Sequence, residues 1–142
     1  MDIREKILRL LKDQRLAVIA TTVEGHPYTN LVTFIHDPEL KWIAFATLKN
    51  TRKFRNILAD PRISVLIDNR KNEPEDLGNA VTITALGTAG REDEESELRE
   101  QFLDRHPGLQ GFLNDPRCII IRVQIREYIF VSNFQKTETL VP

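Results

Sequence analysis

The sequence predicts a small antiparallel β-barrel with peripheral helices, an α+β fold in which strands dominate. Branched and aromatic residues gather in about six or seven runs of strand length, from LAVIATT (16–22) to CIIIRVQIREYIFVSNF (118–134). The linkers between the first three runs, VEGHP and DPEL, are short and carry turn residues, which suits antiparallel neighbours. Only three separated segments show helical periodicity, and no glycine-rich turn follows the first strand. That pattern argues against a doubly wound nucleotide fold.

The first helix is expected over 2–13, where Ile3, Ile7, Leu8, Leu10 and Leu11 recur at helical spacing between charged residues. Strands follow at 16–22, 28–36 and 41–47. Gly25 and Pro27 mark the first turn, and Asp37-Pro38 marks the second. A second helix opens at Asn50 or Thr51, either of which can cap it. Phe54, Ile57 and Leu58 are its expected buried stripe. It stops at Asp60-Pro61, because a residue before proline is pushed out of helical geometry. RISVLID (62–68) is a fourth strand, 70–79 a polar loop, and 80–92 a longer strand. Gly87 marks a bulge or a close backbone approach in that strand. The acidic segment 93–106 reads as a helix with Leu98, Phe102 and Leu103 on one face, its run 92–97 forming a solvated start that suits the helix dipole. Residues 106–115 read as a turn with a short helical piece, and 118–134 as two strands or one bent strand. A second Asp-Pro-Arg at 115–117 repeats the helix-stop punctuation of 60–62.

The length suits one domain, residues 1–142. Net charge is −1, from 20 basic and 21 acidic side chains, which argues against a nucleic-acid partner because such a partner calls for a basic excess. Cys118 is the single cysteine, so neither an internal disulfide nor a multi-cysteine zinc site is expected, and its apolar run marks it as a buried inert thiol. No apolar run approaches the ~20 residues that span a bilayer. The N-terminal MDIREKILRLLKDQR lacks the apolar core of a secretion signal. The expectation is a cytoplasmic protein with no membrane partner.

One stretch breaks an ordinary rule. TLKNTRKFRNILADPR (47–62) puts Lys49, Arg52, Lys53 and Arg55 at a helix start. The positive end of the helix dipole disfavours cations there, by roughly 0.3–1 kcal/mol each. An anion held by the free N–H groups would reverse the sign. Arg52 can fork two hydrogen bonds to a phosphate, Lys53 acts as a point charge, and Thr47 and Thr51 can add hydroxyls. The alternative is a solvated helix whose cations pair with nearby acids, and the segment alone leaves both open.

The longer run LAVIATTVEGHPYTNLVTFIHDPELKWIAFATLKNTRKFRNILADPRISVLID resembles the flavin-binding split-barrel family, whose best-known member is pyridoxamine 5'-phosphate oxidase. The matching positions are Thr47, Thr51-Arg52-Lys53, Asn56 and Asp60-Pro61-Arg62. The second half matches loosely, through ITALGTAGRED and EYIFVSNF. The resemblance implies a split barrel in which Arg52 and Lys53, with Thr51 and Thr47, bind the phosphate of flavin mononucleotide (FMN). It implies that the strand Leu31-Val32-Thr33-Phe34 runs along the flavin ring and offers backbone groups to its polar edge. It also implies a homodimer with the cofactor at the subunit interface, where Thr82, Thr84 and Phe134 are candidate contributors; as a residue type, Phe134 is more often core. Some relatives bind haem or a deazaflavin instead. The chain lacks the oxidase's C-terminal substrate signature: it ends SNFQKTETLVP, and Trp42 is its single tryptophan.

His26, His36 and His106 have no metal-ligand spacing. His26 and His106 each precede a proline in a turn and are expected at the surface; His36 lies near the end of the flavin-facing strand, where it could reach a ligand or stand as a strand-end surface residue, and the surface reading is preferred. Ser64, Ser96 and Ser132 lack a nucleophile-elbow context. Two functions follow: a flavin-dependent oxidoreductase acting on a small substrate, or a module that holds flavin or haem for storage, sensing or electron transfer.

Overall fold

The computed structural model describes residues 1–91 and 97–142. Its strands are β1 (Leu16–Val23), β2 (His26–His36), β3 (Trp42–Leu48), β4 (Arg62–Asp68), β5 (Val81–Arg91), β6 (Cys118–Ser132) and β7 (Lys136–Leu140). The helices are α1 (Ile3–Asp13), α2 (Arg52–Ala59), α3 (Asp76–Asn79), α4 (Leu98–Arg105) and α5 (Gln110–Leu113), with a 3₁₀ turn at Pro107–Leu109. The acidic start expected at 92–97 lies outside the described residues except for Glu97.

The first three strands form an antiparallel meander. β4 joins the free edge of β1, then β5 and β6 follow, and β6 pairs back onto β3. The result is a closed six-stranded antiparallel barrel with helices outside it. The β1–β2 turn holds Glu24 and Gly25 both at positive φ, as a two-residue hairpin of matching twist demands. β6 is one strand, long enough to serve β3 with its first half and β7 with its second. β7 leaves no apolar alternation to read, because KTETL is polar and largely exposed as an edge strand can be. α3 is a single turn inside the expected polar loop, tied by the Asp76 carboxylate to the N–H groups of Lys71, Asn72 and Glu73.

Two helices close the barrel ends. α1 starts with a reciprocal cap, in which the Asp2 carboxylate accepts from the Glu5 N–H at 2.8 Å and the Glu5 carboxylate accepts from the Asp2 N–H at 3.2 Å. It buries Ile7, Leu10 and Leu11. α2 buries Phe54 and Ile57 at the other end, but Leu58 is 61% exposed. Asn56 takes the third inward place instead and donates to the Thr21 hydroxyl at 3.1 Å, so α2 is pinned to β1 by a buried polar pair as well as by packing. Both Asp-Pro-Arg motifs are one device. In each, the arginine forks onto the aspartate two residues earlier and its backbone N–H donates to the same carboxylate. The arginine holds Asp60 well below the usual carboxylate range and Asp115 down at about 2.

A second apolar cluster lies outside the barrel, where α4 and α5 pack Leu98, Phe102 and Leu113 against Ile35, Ala44, Ala46 and Ile120. Among the described residues the remaining outer face has no such cover. Its cross-strand row runs Leu31, Val18, Leu66, Thr84, Ile129, and the apolar members belong to neither cluster. All but Leu31 are half-buried, and Leu31 is 60% exposed.

Gly87 sits where the β5–β6 register slips, with Leu86 opposite Glu127 but Gly87 opposite Ile125. A Cβ there would collide with the Gln124 carbonyl and lie 2.9 Å from Val123 Cγ1. Gly87→Ala is expected to destabilise the fold by about 1–3 kcal/mol, the usual cost of forced overpacking, and to lower the melting temperature accordingly in a thermal melt.

Candidate cofactor site

The site begins where β2 changes partners. It pairs with β1 as far as Thr33, opposite Leu16, and with β3 only from Phe34, opposite Phe45. Before Phe34 the two strands diverge, so the β3-facing edge of Leu31–Thr33 has no strand partner among the described residues. β3 continues to Leu48 on the arm of β6. The start of α2 lies across this fork.

The fork encloses a cleft of about 250 Å³ lined by Leu31, Val32, Thr33, Ala46, Thr47, Leu48, Thr51, Lys53, Leu109 and Phe112. Six of the eight residues singled out in the sequence therefore come together: Leu31, Val32, Thr33, Thr47, Thr51 and Lys53. Phe34 stands at the apex with its side chain fully buried, and its carbonyl lies 2.9 Å from His106 Nε2. Arg52 is exposed beside the cleft, with its guanidinium 5.2 Å from the Tyr28 ring centre.

Thr51 is the helix cap. Its hydroxyl donates to the Leu48 carbonyl at 2.9 Å and accepts from the Phe54 N–H at 3.4 Å. The buried Thr47 hydroxyl lies 3.1 Å from that of Thr51. The two threonines thus fix the angle at which α2 leaves β3, and Thr47 acts through Thr51. Lys53 is half-buried, and burial lowers its pKa, with no charge among the described residues to offset the desolvation. α2 has no acidic residue in its first turn. The cation is thus held at the positive end of a helix, partly out of water, with no counter-charge among the described residues.

A larger hollow of about 410 Å³ lies under α1, but its cations are already matched. Lys6 pairs with Glu138 at 3.2 Å and Arg9 with Asp13 at 3.9 Å. The smaller cleft carries the unmatched charge and the open backbone, so it is the candidate.

The family model described as pyridoxamine 5'-phosphate oxidase matches residues 3–132. The chain belongs to this family. It is 25% identical over 139 residues to general stress protein 26 of Bacillus subtilis (strain 168), covering 96% of this chain and 93% of that protein. It shares its fold with HutZ, the haem storage protein of Vibrio cholerae (TM-score 0.76, 17% identity, 99% of this chain and 95% of that one). It also shares it with an FAD-binding protein of Mesorhizobium loti (TM-score 0.72, 14% identity, 89% and 90%).

The histidines fall elsewhere. His26 is exposed at the start of β2. His36 is half-buried rather than at the surface; it lies near the Asp37 carbonyl, and burial lowers its pKa. His106 is 8% exposed, contrary to the surface position expected before a proline. Its non-helical backbone turns the ring inward onto the Phe34 carbonyl. Phe134, read by residue type as core, is 63% exposed at positive φ in the β6–β7 turn. Cys118 is half-buried and burial raises its pKa, in keeping with an inert thiol. Leu109 and Phe112 were missed because HPGLQGFLND carries turn and helix signals but nothing that points to a cleft. Among the described residues no cluster of His, Cys, Asp or Glu could hold a metal ion, and no helix is long and apolar enough to cross a membrane.

Because Lys53 titrates below the ordinary lysine value when folded, the unfolded chain binds more protons between the two pKa values, and stability should rise with pH across that window. Lys53→Met is expected to raise the melting temperature of the ligand-free protein and to remove that part of the slope. Calorimetry at several pH values checks both.

Proposed function

We propose that the protein binds FMN as a homodimer and works as a flavin-dependent oxidoreductase on a small substrate. The observation that carries the reading is Lys53, a half-buried cation with no counter-charge among the described residues, set beside a strand edge with no strand partner among them, in one cleft. FMN fits that donor set. Its phosphate would meet Lys53 and the N–H groups at the start of α2. Arg52 would join by leaving the Tyr28 ring, for which only side-chain rotation is needed. The flavin's polar edge would meet backbone groups of Leu31–Thr33, and its apolar ring would lie among Leu31, Leu109 and Phe112. Bound flavin supplies the hydride or electron transfer, while the chain binds, orients and shields it.

Haem is a poorer fit. Its iron is usually held by His, Cys, Met or Tyr, and the cleft lining contains none of these. A cytoplasmic setting accords with the single cysteine and the absence, among the described residues, of a membrane-crossing helix.

Two features support the dimer. The cleft is smaller than the roughly 300–1,000 Å³ typical of sites that bury a ligand of this size, so one chain supplies only part of the enclosure. The uncovered row from Leu31 to Ile129 also starts at the cleft and crosses the sheet, placing Thr84 within it and Thr82 beside it. A second copy seated on this row would close the cleft mouth.

Arg52→Ala with Lys53→Ala is expected to weaken FMN at least tenfold while leaving riboflavin, which lacks the phosphate, nearly unchanged. Charge-assisted bonds worth about 1.5–3 kcal/mol each set that scale. Equal losses for both ligands in a fluorescence titration would refute the phosphate assignment. Leu66→Arg is expected to give monomers by light scattering and to lower flavin affinity with them. A monomeric wild-type protein would refute the interface. Turnover of bound flavin with a nicotinamide donor separates the enzyme from a storage or sensing module.

A further inference from the structure

We infer that the segment His106–Leu113 is the ring-recognition wall of the cleft, in which Phe112 selects a flat aromatic ring and His106 is the positioning residue that aligns the wall with the strand beneath. The inference rests on the flavin reading above and extends it to the end of the ligand that carries no phosphate.

The cleft lining joins two chemically different sets of side chains. Lys53 and Thr51 supply a cation and a hydroxyl, while Leu109 and Phe112 supply apolar surface. Phe112 is the only aromatic side chain among the lining residues, and it stays 36% exposed although Leu113 beside it is 2% exposed. A half-exposed aromatic on a cleft wall gains partners only when a ligand arrives, and aromatic rings favour flat partners in offset or edge contact.

The position of this wall does not come from its own helix, because a four-residue α5 has no stability alone. It comes from anchors at both ends. After α5, Leu113 is sunk in the outer cluster and Asn114 Oδ1 accepts from Arg99 at 2.6 Å. Before α5, His106 Nε2 donates to the Phe34 carbonyl at 2.9 Å, and the Leu109 N–H donates to the His106 carbonyl at 3.0 Å. Phe34 is the apex of the fork, so His106 ties the wall to the point where the flavin-facing edge begins. Arg105 reinforces the tie: its guanidinium donates to the carbonyls of Leu11 and Lys12 at the end of α1 and lies 5.5 Å from the Phe34 ring centre.

The test uses the full chain, titrated separately with FMN and riboflavin. Phe112→Ala is expected to weaken both by the same factor, roughly fivefold as loss of an aromatic partner gives, and to move the bound flavin's absorbance bands toward their free positions. His106→Leu should do the same, and His106→Gln, which keeps an N–H donor, should recover most of the affinity and the band positions. Unchanged affinity and spectrum in Phe112→Ala would overturn the wall. So would a His106→Leu protein that melts lower but binds normally per folded molecule. If His106→Leu fails to fold, Phe112→Ala decides alone, since its side chain is half-exposed. Wild-type protein that takes up neither flavin would overturn the flavin reading itself, and with it this one.

Discussion

Everything at the site depends on β2 having more backbone than its neighbours can pair. The strand runs eleven residues, with β1 along most of one edge and β3 along only the last three positions of the other. A barrel whose strands paired fully on both edges would have no gap in its wall. Here the gap opens at Phe34 and is propped by the start of α2. Burying Phe34 and Phe45 at the point of divergence keeps the opening from running further into the barrel. The interior stays packed with apolar side chains, and the cleft stays on its flank.

The second constraint is electrostatic. α2 is a stable helix on its apolar side: Thr51 caps it, Asn56 and Ile57 tie it down, and the Asp60-Pro61-Arg62 clip ends it. Its charges oppose that stability, since its first turn is basic and lacks an acid. Structure and charge pull apart here, a pattern expected of sites shaped by function rather than by folding alone. The equivalent clip at Asp115–Arg117 sits beyond α5, whose residues Gln110–Leu113 carry no charge, so the same punctuation occurs without the cations of α2.

The sequence made most of this visible. Periodicity and turn residues located six of the seven strands, because a barrel wall with one buried face leaves an alternating record. Gly87 was legible as a bulge because only a missing side chain permits that approach. The first half of the cleft was legible because it is contiguous: strand, strand and helix cap lie within residues 31–53. The wall was not. Leu109 and Phe112 reach the cleft through tertiary packing, and the burial of His106 depends on a carbonyl far away in sequence. Leu58 was misassigned for a related reason, since helical spacing alone does not show that Asn56 has a buried hydroxyl waiting for it on β1.

The pairing of β3 with β6 joins the first third of the chain to its last quarter. Such distant pairings form late, because the loop entropy must be lost before the contacts repay it. A chain emerging from the ribosome therefore makes its meander and its basic helix first and carries β3 with an open edge until β6 arrives. The cleft wall is made in the same late stretch. Until that stretch is complete the exposed edge is a template for wrong partners, and the basic half of the cleft lacks the wall that Leu109 and Phe112 supply. A ligand that needs both halves would recognise only the finished molecule, so under the proposed function cofactor uptake would double as a check that the barrel has closed.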